Sequence, residues 1–242
     1  MSGAPAGHPA GREEAPGAEA ADLRAACDLL GLQVEATQID ALLRYLALLR
    51  RWNATYNLTA VREPSAMVTY HVVDCLAAAT ALQRRGAASG THSDTGARIL
   101  DVGSGGGLPG VVLAVLRPDW TVICIDAVAK KAAFIRQVAG TLGLANLHAV
   151  HARVEAWSGE SFDLIAARAF ASLAALTRLT VPLLKAEGSW MAMKGQVPEA
   201  EIAALPPHIE AFHVEPLTVP GLNAHRCLVW MRRRRDTEPE FI

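Results

Sequence analysis

The sequence predicts an α/β fold: a doubly wound, largely parallel sheet of seven strands, finished by an antiparallel edge hairpin and preceded by a small helical N-terminal region. Three observations predict it. From Arg98 onward, short apolar runs alternate with helical patterns, and that alternation specifies a parallel sheet covered on both faces. The first run, Arg98-Ile99-Leu100-Asp101-Val102, flows directly into the glycine-rich stretch Gly103-Ser104-Gly105-Gly106-Gly107-Leu108-Pro109-Gly110. The last two apolar runs have no helix between them, because 216–223 reads as a loop, so they pair antiparallel at the sheet edge.

Strands are expected over 98–103, 120–126, 146–151, 162–167, 188–194, 209–217 and 225–232. Helices are expected over 108–116, 128–142, 171–184 and 198–204. The helical N-terminal region and a linker fill 21–97. Leu23, Cys27 and Leu30 recur with helical spacing, and Ile39, Leu42, Leu43, Leu46 and Leu49 form an apolar stripe that ends near Trp52-Asn53. A third helix starts at Pro64, with Met67, Val68, His71, Val72, Cys75 and Leu76 on one face. The stretch from Gly86 to Gly96 reads as the linker. The domain proper covers 98–235. Residues 1–20 have almost nothing to bury and are expected to be a disordered tail, and 236–242 form a second tail.

Composition narrows the function. The chain has 242 residues, 51% of them hydrophobic, enough to bury a sizeable core. No apolar run is expected to approach the roughly 20 residues of a membrane span. The first 20 residues lack the apolar core of a secretory signal, so a cytoplasmic protein is expected, and with no exposed coiled-coil pattern a monomer is expected. Cys27, Cys75, Cys124 and Cys227 are widely spaced, which suggests small buried hydrophobes rather than a metal or disulfide set. The histidines show no metal-ligand grouping, and no metal is expected. Net charge is −1, so a nucleic-acid partner would need a local basic patch. Lys130, Lys131 and Arg136 could form a phosphate-binding rim or merely a solvated face.

The glycine stretch is the most informative segment. Glycines let the backbone adopt φ > 0 and approach a ligand closely. The following helix presents free N–H groups there. Gly105-x-Gly107-x-x-Gly110 formally matches a dinucleotide fingerprint. Read from the strand end, however, the pattern is Asp101-x-Gly103-x-Gly105-x-Gly107, which resembles motif I of class I S-adenosylmethionine (SAM) methyltransferases. Asp101 would lie beneath the loop and face the cofactor's cationic end. Asp126 ends the next strand, 23 residues beyond Gly103, close to the separation of about 20 expected of an acid on ribose hydroxyls. That acid suits SAM and NAD equally. The antiparallel terminal pair favours the Rossmann-like methyltransferase architecture over a dehydrogenase.

Further stretches sharpen the resemblance. They are Asn57-Leu58-Thr59, His71-Val72-Val73-Asp74, the Asp101–Gly110 segment, Lys130-Lys131 with Phe134-Ile135-Arg136, Arg153-Val154-Glu155, Arg168-Ala169-Phe170-Ala171 and Lys194-Gly195-Gln196. In this order they resemble the bacterial small-subunit rRNA guanine-N7 methyltransferases (RsmG, or GidB), from about Asn53 to Met231. The resemblance implies transfer of a methyl group from SAM to N7 of a guanine in 16S rRNA, with free rRNA or the small ribosomal subunit as partner. It implies that Gly103 and Leu108 contact the cofactor, that Val154 and Glu155 lie beside the adenine, and that Arg168 stands in the cofactor and target pocket. One departure is visible: the last strand carries Arg226-Cys227 where the family often has Arg-His. The run Arg232–Arg235 carries no implied function.

Guanine N7 has an in-plane lone pair and no proton to lose, so its methylation needs no general base, only positioning and electrostatics. No Asn-Pro-Pro-Tyr or Pro-Cys follows the fourth strand; Arg168-Ala169-Phe170 stands there instead. Arg168 can donate to guanine O6, and Phe170 can stack on a base or simply pack in the core. Lys194 ends the fifth strand, where ligands gather at the carboxyl ends of a sheet. Arg168 and Lys194 are therefore the candidate catalytic residues, with Asp101, Gly103, Gly105, Gly107, Leu108, Asp126, Val154, Glu155 and Arg168 the candidate cofactor set. His71 and Asp74 share a helical face and read as a structural His–carboxylate pair or a cap, with substrate contact as the alternative. Asn57 lines the pocket or satisfies local backbone. Methyl transfer to another RNA or a small molecule, and a nicotinamide oxidoreductase, are the competing readings.

Overall fold

A computed structural model describes residues 16–89 and 96–234. The expected tails therefore fall largely outside the described residues, as do Arg235 and positions 90–95. Two boundaries change. Residues 16–20 are not tail but the first turn of helix α1, Pro16–Leu30. Residues 86–89 are not linker but the end of α4, Asp74–Ser89.

The strands are β1 Arg98–Val102, β2 Thr121–Asp126, β3 Leu147–His151, β4 Phe162–Arg168, β5 Leu184–Lys194, β6 Ile209–Pro216 and β7 Cys227–Arg233. They form one sheet of order β3-β2-β1-β4-β5-β7-β6. β1 to β5 are parallel, and β7 runs antiparallel to both β5 and β6. The terminal pair thus inserts its second strand between the first and the parallel sheet. Cys227–Met231 are accordingly buried, as a central strand requires.

Alternate side chains of each strand feed two cores. Ile99, Val122, Cys124, Leu164, Ala166, Met191 and Trp230 face one. Leu100, Ile123, Ile125, Ile165, Trp190, Val229 and Met231 face the other. Helices α5, Gly110–Leu116, and α6, Ala129–Leu142, cover the first face, and α7, Leu173–Thr180, covers the second.

The N-terminal region is continuous with the first core. α2, Ala36–Tyr56, buries Ile39, Leu42, Tyr45, Leu46 and Leu49 in it. Polar contacts fix the docking. Gln38 donates to the Val115 and Leu116 carbonyls at 3.0 and 3.3 Å, and Arg44 donates to the Thr141 carbonyl at 2.7 Å. These satisfy carbonyls that the ends of α5 and α6 leave free. α3, Pro64–Met67, leads through a π-helical turn, Val68–Val73, into α4. Against expectation, the continuous segment Pro64–Arg85 is long and apolar enough to cross a membrane on composition alone, but 78% of its apolar window is buried in the fold. The four cysteines are free and buried. Of the terminal arginines, Arg232 pairs with Glu210 at 2.6 Å, Arg233 donates to the Val181 and Leu184 carbonyls, and Arg234 to that of Pro207. Those contacts staple the sheet edge.

Candidate cofactor and target site

The glycine loop leaves β1 at Gly103, whose N–H donates to the Ile125 carbonyl at 2.9 Å. Gly103, Gly105 and Gly107 all have positive φ, at 67°, 59° and 86°, a region that L side chains adopt at a cost. The buried Ser104 hydroxyl donates to the Asp101 carbonyl at 2.7 Å. On the N-terminal side, the Tyr45 hydroxyl donates to the Gly106 carbonyl.

Asp101 does lie beneath the loop, but it does not open on the cavity. It is fully buried. Its Oδ2 accepts the Gly110 N–H at 2.9 Å and faces Cys124 Sγ at 3.8 Å, while Oδ1 has no partner among the described residues. Burial pushes its carboxyl up to about 7, against the pull of the Gly110 N–H and the Arg168 charge. Its place fits a group that anchors the loop's exit into α5. The reason is geometric: the loop folds back over the strand end and Gly110 N–H reaches the carboxylate first.

Asp126 ties the loop to β2. Its Oδ2 accepts the Gly105 N–H at 3.0 Å, its Oδ1 the Val128 N–H at 2.8 Å, and Lys131 Nζ stands 3.7 Å away. A carboxylate has about four acceptor sites, so Asp126 keeps acceptor capacity beyond the two backbone N–H groups it binds.

A cavity opens above the loop. Its walls are Gly103, Ser104, Gly105, Gly106 and Leu108 from the loop, Arg168 and Ala169 from the end of β4, Lys131 from α6, and Leu49, Leu58, Thr59 and His71 from the N-terminal region. Of the expected site residues, the structure brings Gly103, Gly105, Leu108 and Arg168 together here, with Asp126 bonded to the wall. Gly107 is buried behind it, its missing Cβ leaving room for Val111 and Ile135. Val154 is buried in the second core, and Glu155 is exposed in a 3-10 turn, Val154–Ala156, after β3. The Ala152 N–H bonds the Asp126 carbonyl at 3.2 Å, which keeps that turn beside the β2 end.

Lys194 is the clearest departure. Its ammonium sits 2.9 Å from both oxygens of Glu201 on α8, Glu199–Ala203, and is no part of the cavity wall. Glu201 also accepts the Leu173 N–H at 2.8 Å. Lys194 therefore fixes the β5 end to α7 and α8 and is not placed as a catalytic group.

Arg168 has the opposite fate. Its Nη1 donates to the Tyr70 carbonyl at 3.0 Å and lies 3.5 Å from Asp74 Oδ2. Ala169 follows in the left-handed region, φ 57°. That conformation is costly for a residue with a Cβ and marks functional turns. It directs Phe170 back over Gly103, where a Cβ would stand 3.3 Å from Phe170 Cδ2. Phe170 also packs against the second core.

His71 and Asp74 do not pair with each other. His71 Nε2 and Thr59 Oγ1 are 2.9 Å apart, while Asp74 meets Arg168 and Arg226. Burial, aided by the Arg168 charge, pushes His71 down to about 4, so it is neutral. Asn57 caps α2 with φ 50° and accepts from Arg62, serving its local loop. The three basic residues of α6 divide: Lys131 lines the cavity, Lys130 donates to the Tyr56 carbonyl and Arg136 to that of Ala149. Thr59, His71 and Asp74 carried a signal only as polar residues within the short stretches that bear the resemblance.

Residues 38–229 match the family model described as rRNA small subunit methyltransferase G, GidB. The chain belongs to that family. It is 56% identical over 212 residues to the ribosomal RNA small subunit methyltransferase G of Acidovorax sp. (strain JS42), covering 87% of this chain and 93% of that one. The relative of the same name from Leptothrix cholodnii is also 56% identical over 212 residues, covering 88% and 94%. Among solved structures, a mutant of MtNAS in complex with S-adenosylmethionine aligns with a TM-score of 0.54 at 16% identity, covering 88% of this chain and 84% of that one. TrmN from Thermus thermophilus aligns at 0.50 and 18%, covering 69% and 53%. Both likenesses concern the fold alone, that of class I SAM methyltransferases. The enzyme is a SAM-dependent methyltransferase, and the nicotinamide reading of its glycine loop falls.

Proposed function

We propose that the enzyme methylates N7 of a guanine in 16S rRNA, as free rRNA or within the small ribosomal subunit. One observation carries the reading: Arg168, oriented by Tyr70 and Asp74, opens on the glycine-loop cavity, and the carboxylate beside it, Asp74, is engaged by two guanidiniums rather than free to take a proton. Asp101 is sealed under the loop, and His71, pushed down to about 4 by burial and engaged with Thr59, is a weak proton acceptor. N7 has no proton to lose, so a site without a free base suits it, whereas an exocyclic amine must shed a proton on methylation.

The residues present fit SAM. Positive-φ glycines leave a cradle that side chains would fill, and Asp126 keeps free acceptor sites at its edge. When bound, SAM supplies an electrophilic methyl group on a sulfonium. Gly103, Gly105 and Leu108 would hold it along the loop, with Asp126 on its ribose and Val154 and Glu155 beside its base. Arg168 would donate to guanine O6 and orient N7 toward the methyl group. Phe170, aimed over Gly103, would limit how the two ligands stack. The enzyme is proposed to act as a cytoplasmic monomer, without a membrane partner.

The decisive measurement is mass spectrometry of nucleosides from 16S rRNA of a strain lacking the gene. Loss of a single 7-methylguanosine, restored by the purified enzyme and SAM, is expected. An unchanged 7-methylguanosine content would sink the proposal.

A further inference from the structure

One carboxylate joins the N-terminal helices to the working edge of the sheet. Asp74 opens α4 directly after the π-helical turn Val68–Val73. Its Oδ1 accepts Arg226 Nε at 3.1 Å, and its Oδ2 lies 3.5 Å from Arg168 Nη1. Arg168 ends β4, while Arg226 precedes β7, and β5 runs between those strands. Asp74 therefore reaches across the end of β5 to hold guanidiniums from both sides of it.

The burial of the three groups differs. The Asp74 side chain is 4% exposed, the Arg168 and Arg226 side chains 23% and 21%. The carboxylate is sealed while both cations keep a partly exposed face, that of Arg168 in the cavity wall. Burial outweighs the two cations and raises the Asp74 carboxyl above its ordinary value. Two cations share one anion, so the cluster retains a net positive charge at the cavity wall.

The π-helical turn is the second observation. Such turns are rare and recur at functional sites. This one presents three groups to one place: the Tyr70 carbonyl to Arg168, the His71 ring to Thr59, and the Asp74 carboxylate to both arginines. Arg168 is thus held at two points, both supplied by the N-terminal region.

We infer that Asp74 is a positioning residue for methyl transfer, fixing the Arg168 guanidinium in the cavity wall with the Arg226 guanidinium beside it, while touching no substrate itself. The inference rests on the proposed rRNA methylation. An arginine held by two acceptors presents its remaining N–H groups in one direction, whereas a free one samples many rotamers and loses that entropy on binding.

The test compares Asp74→Asn and Asp74→Glu with the wild-type chain, using SAM and purified small ribosomal subunits lacking the modification. Asp74→Glu keeps the charge but displaces it by one methylene. The expected order of kcat at saturating substrates is wild type, then Asp74→Glu, then Asp74→Asn, with the last reduced about tenfold or more. Rates are read well below the unfolding midpoint of each variant. In 15N spectra of the guanidinium groups, slowly rotating Arg168 and Arg226 signals are expected in the wild type and lost in Asp74→Asn. A merely structural ion pair would lower the unfolding midpoint and leave kcat unchanged. Wild-type kcat in Asp74→Glu overturns the inference even where Asp74→Asn fails to fold, and so do unchanged guanidinium signals. If the wild type itself transfers no methyl group to the subunits, the proposed function fails instead, and the spectra still decide the positioning.

Discussion

The hydroxyl of Tyr45, on the N-terminal helix α2, donates to the carbonyl of Gly106 in the cofactor loop at 2.8 Å. Tyr45 is completely buried, so no water replaces that bond. Replacing it with Phe strips the Gly106 carbonyl of this partner. Tyr45→Phe is expected to cost about 1 kcal/mol of stability and to weaken SAM binding severalfold. Denaturant unfolding and calorimetric titration check the two effects. Unchanged SAM affinity would show that the loop holds its shape without the bond.

Two glycines should respond to alanine with opposite signs. At Gly107, φ is 86° and an added Cβ would meet Val111 Cγ2 at 2.6 Å and Ile135 Cγ1 at 3.3 Å. Gly107→Ala is therefore expected to destabilise by about 1–3 kcal/mol. At Gly140, near the end of α6, nothing among the described residues lies within 4 Å of the added atom. Gly140→Ala is expected to stabilise by about 0.5–1 kcal/mol, since an exposed helical glycine carries an entropic penalty. Thermal unfolding of both variants measures the contrast.

Asp101 and His71 make opposite demands on pH. Asp101 moves from 3.8 to about 7 on folding, by burial. Across that window the folded chain holds a proton that the unfolded chain has released, so its contribution is lost as pH rises. His71 moves from 6.5 down to about 4, again mainly by burial. There the unfolded chain takes a proton that the folded chain refuses, so stability is lost as pH falls. The two act in opposite directions in the wild type. Relative to it, Asp101→Asn should gain in unfolding midpoint as pH rises through the window, and His71→Asn should gain as pH falls. Scanning calorimetry across the window reads both differences, and slopes parallel to the wild type would contradict them.

The fold was legible because its signals are local. Val122-Ile123-Cys124-Ile125 is apolar on both faces, as a central parallel strand must be. The Gly103–Gly110 turn announces itself by composition. The partner of a polar side chain is a different matter. Asp101 sits where expected, but its orientation depends on where Gly110 returns nine residues later. Lys194 ends a strand at the ligand edge, yet Glu201, seven residues on, claims it. Asp74 meets Arg168 from 94 residues away and Arg226 from 152. No helical or strand period encodes such a meeting, and the apolar face from Met67 to Leu76 does not distinguish the π-helical turn within it from ordinary α-helix.

The cavity draws its walls from Leu49 through Ala169, and this bears on synthesis. As the chain emerges, the segment from α1 to α4 comes first, carrying a third of the pocket wall, Leu49, Leu58, Thr59 and His71. The glycine loop follows, but the arginine wall waits for β4, and the second guanidinium on Asp74 waits for the residue before β7. A nascent chain halted after α6 would carry the recognisable loop without a complete pocket. The full cavity wall therefore exists only once the chain has run past Ala169 at the end of β4.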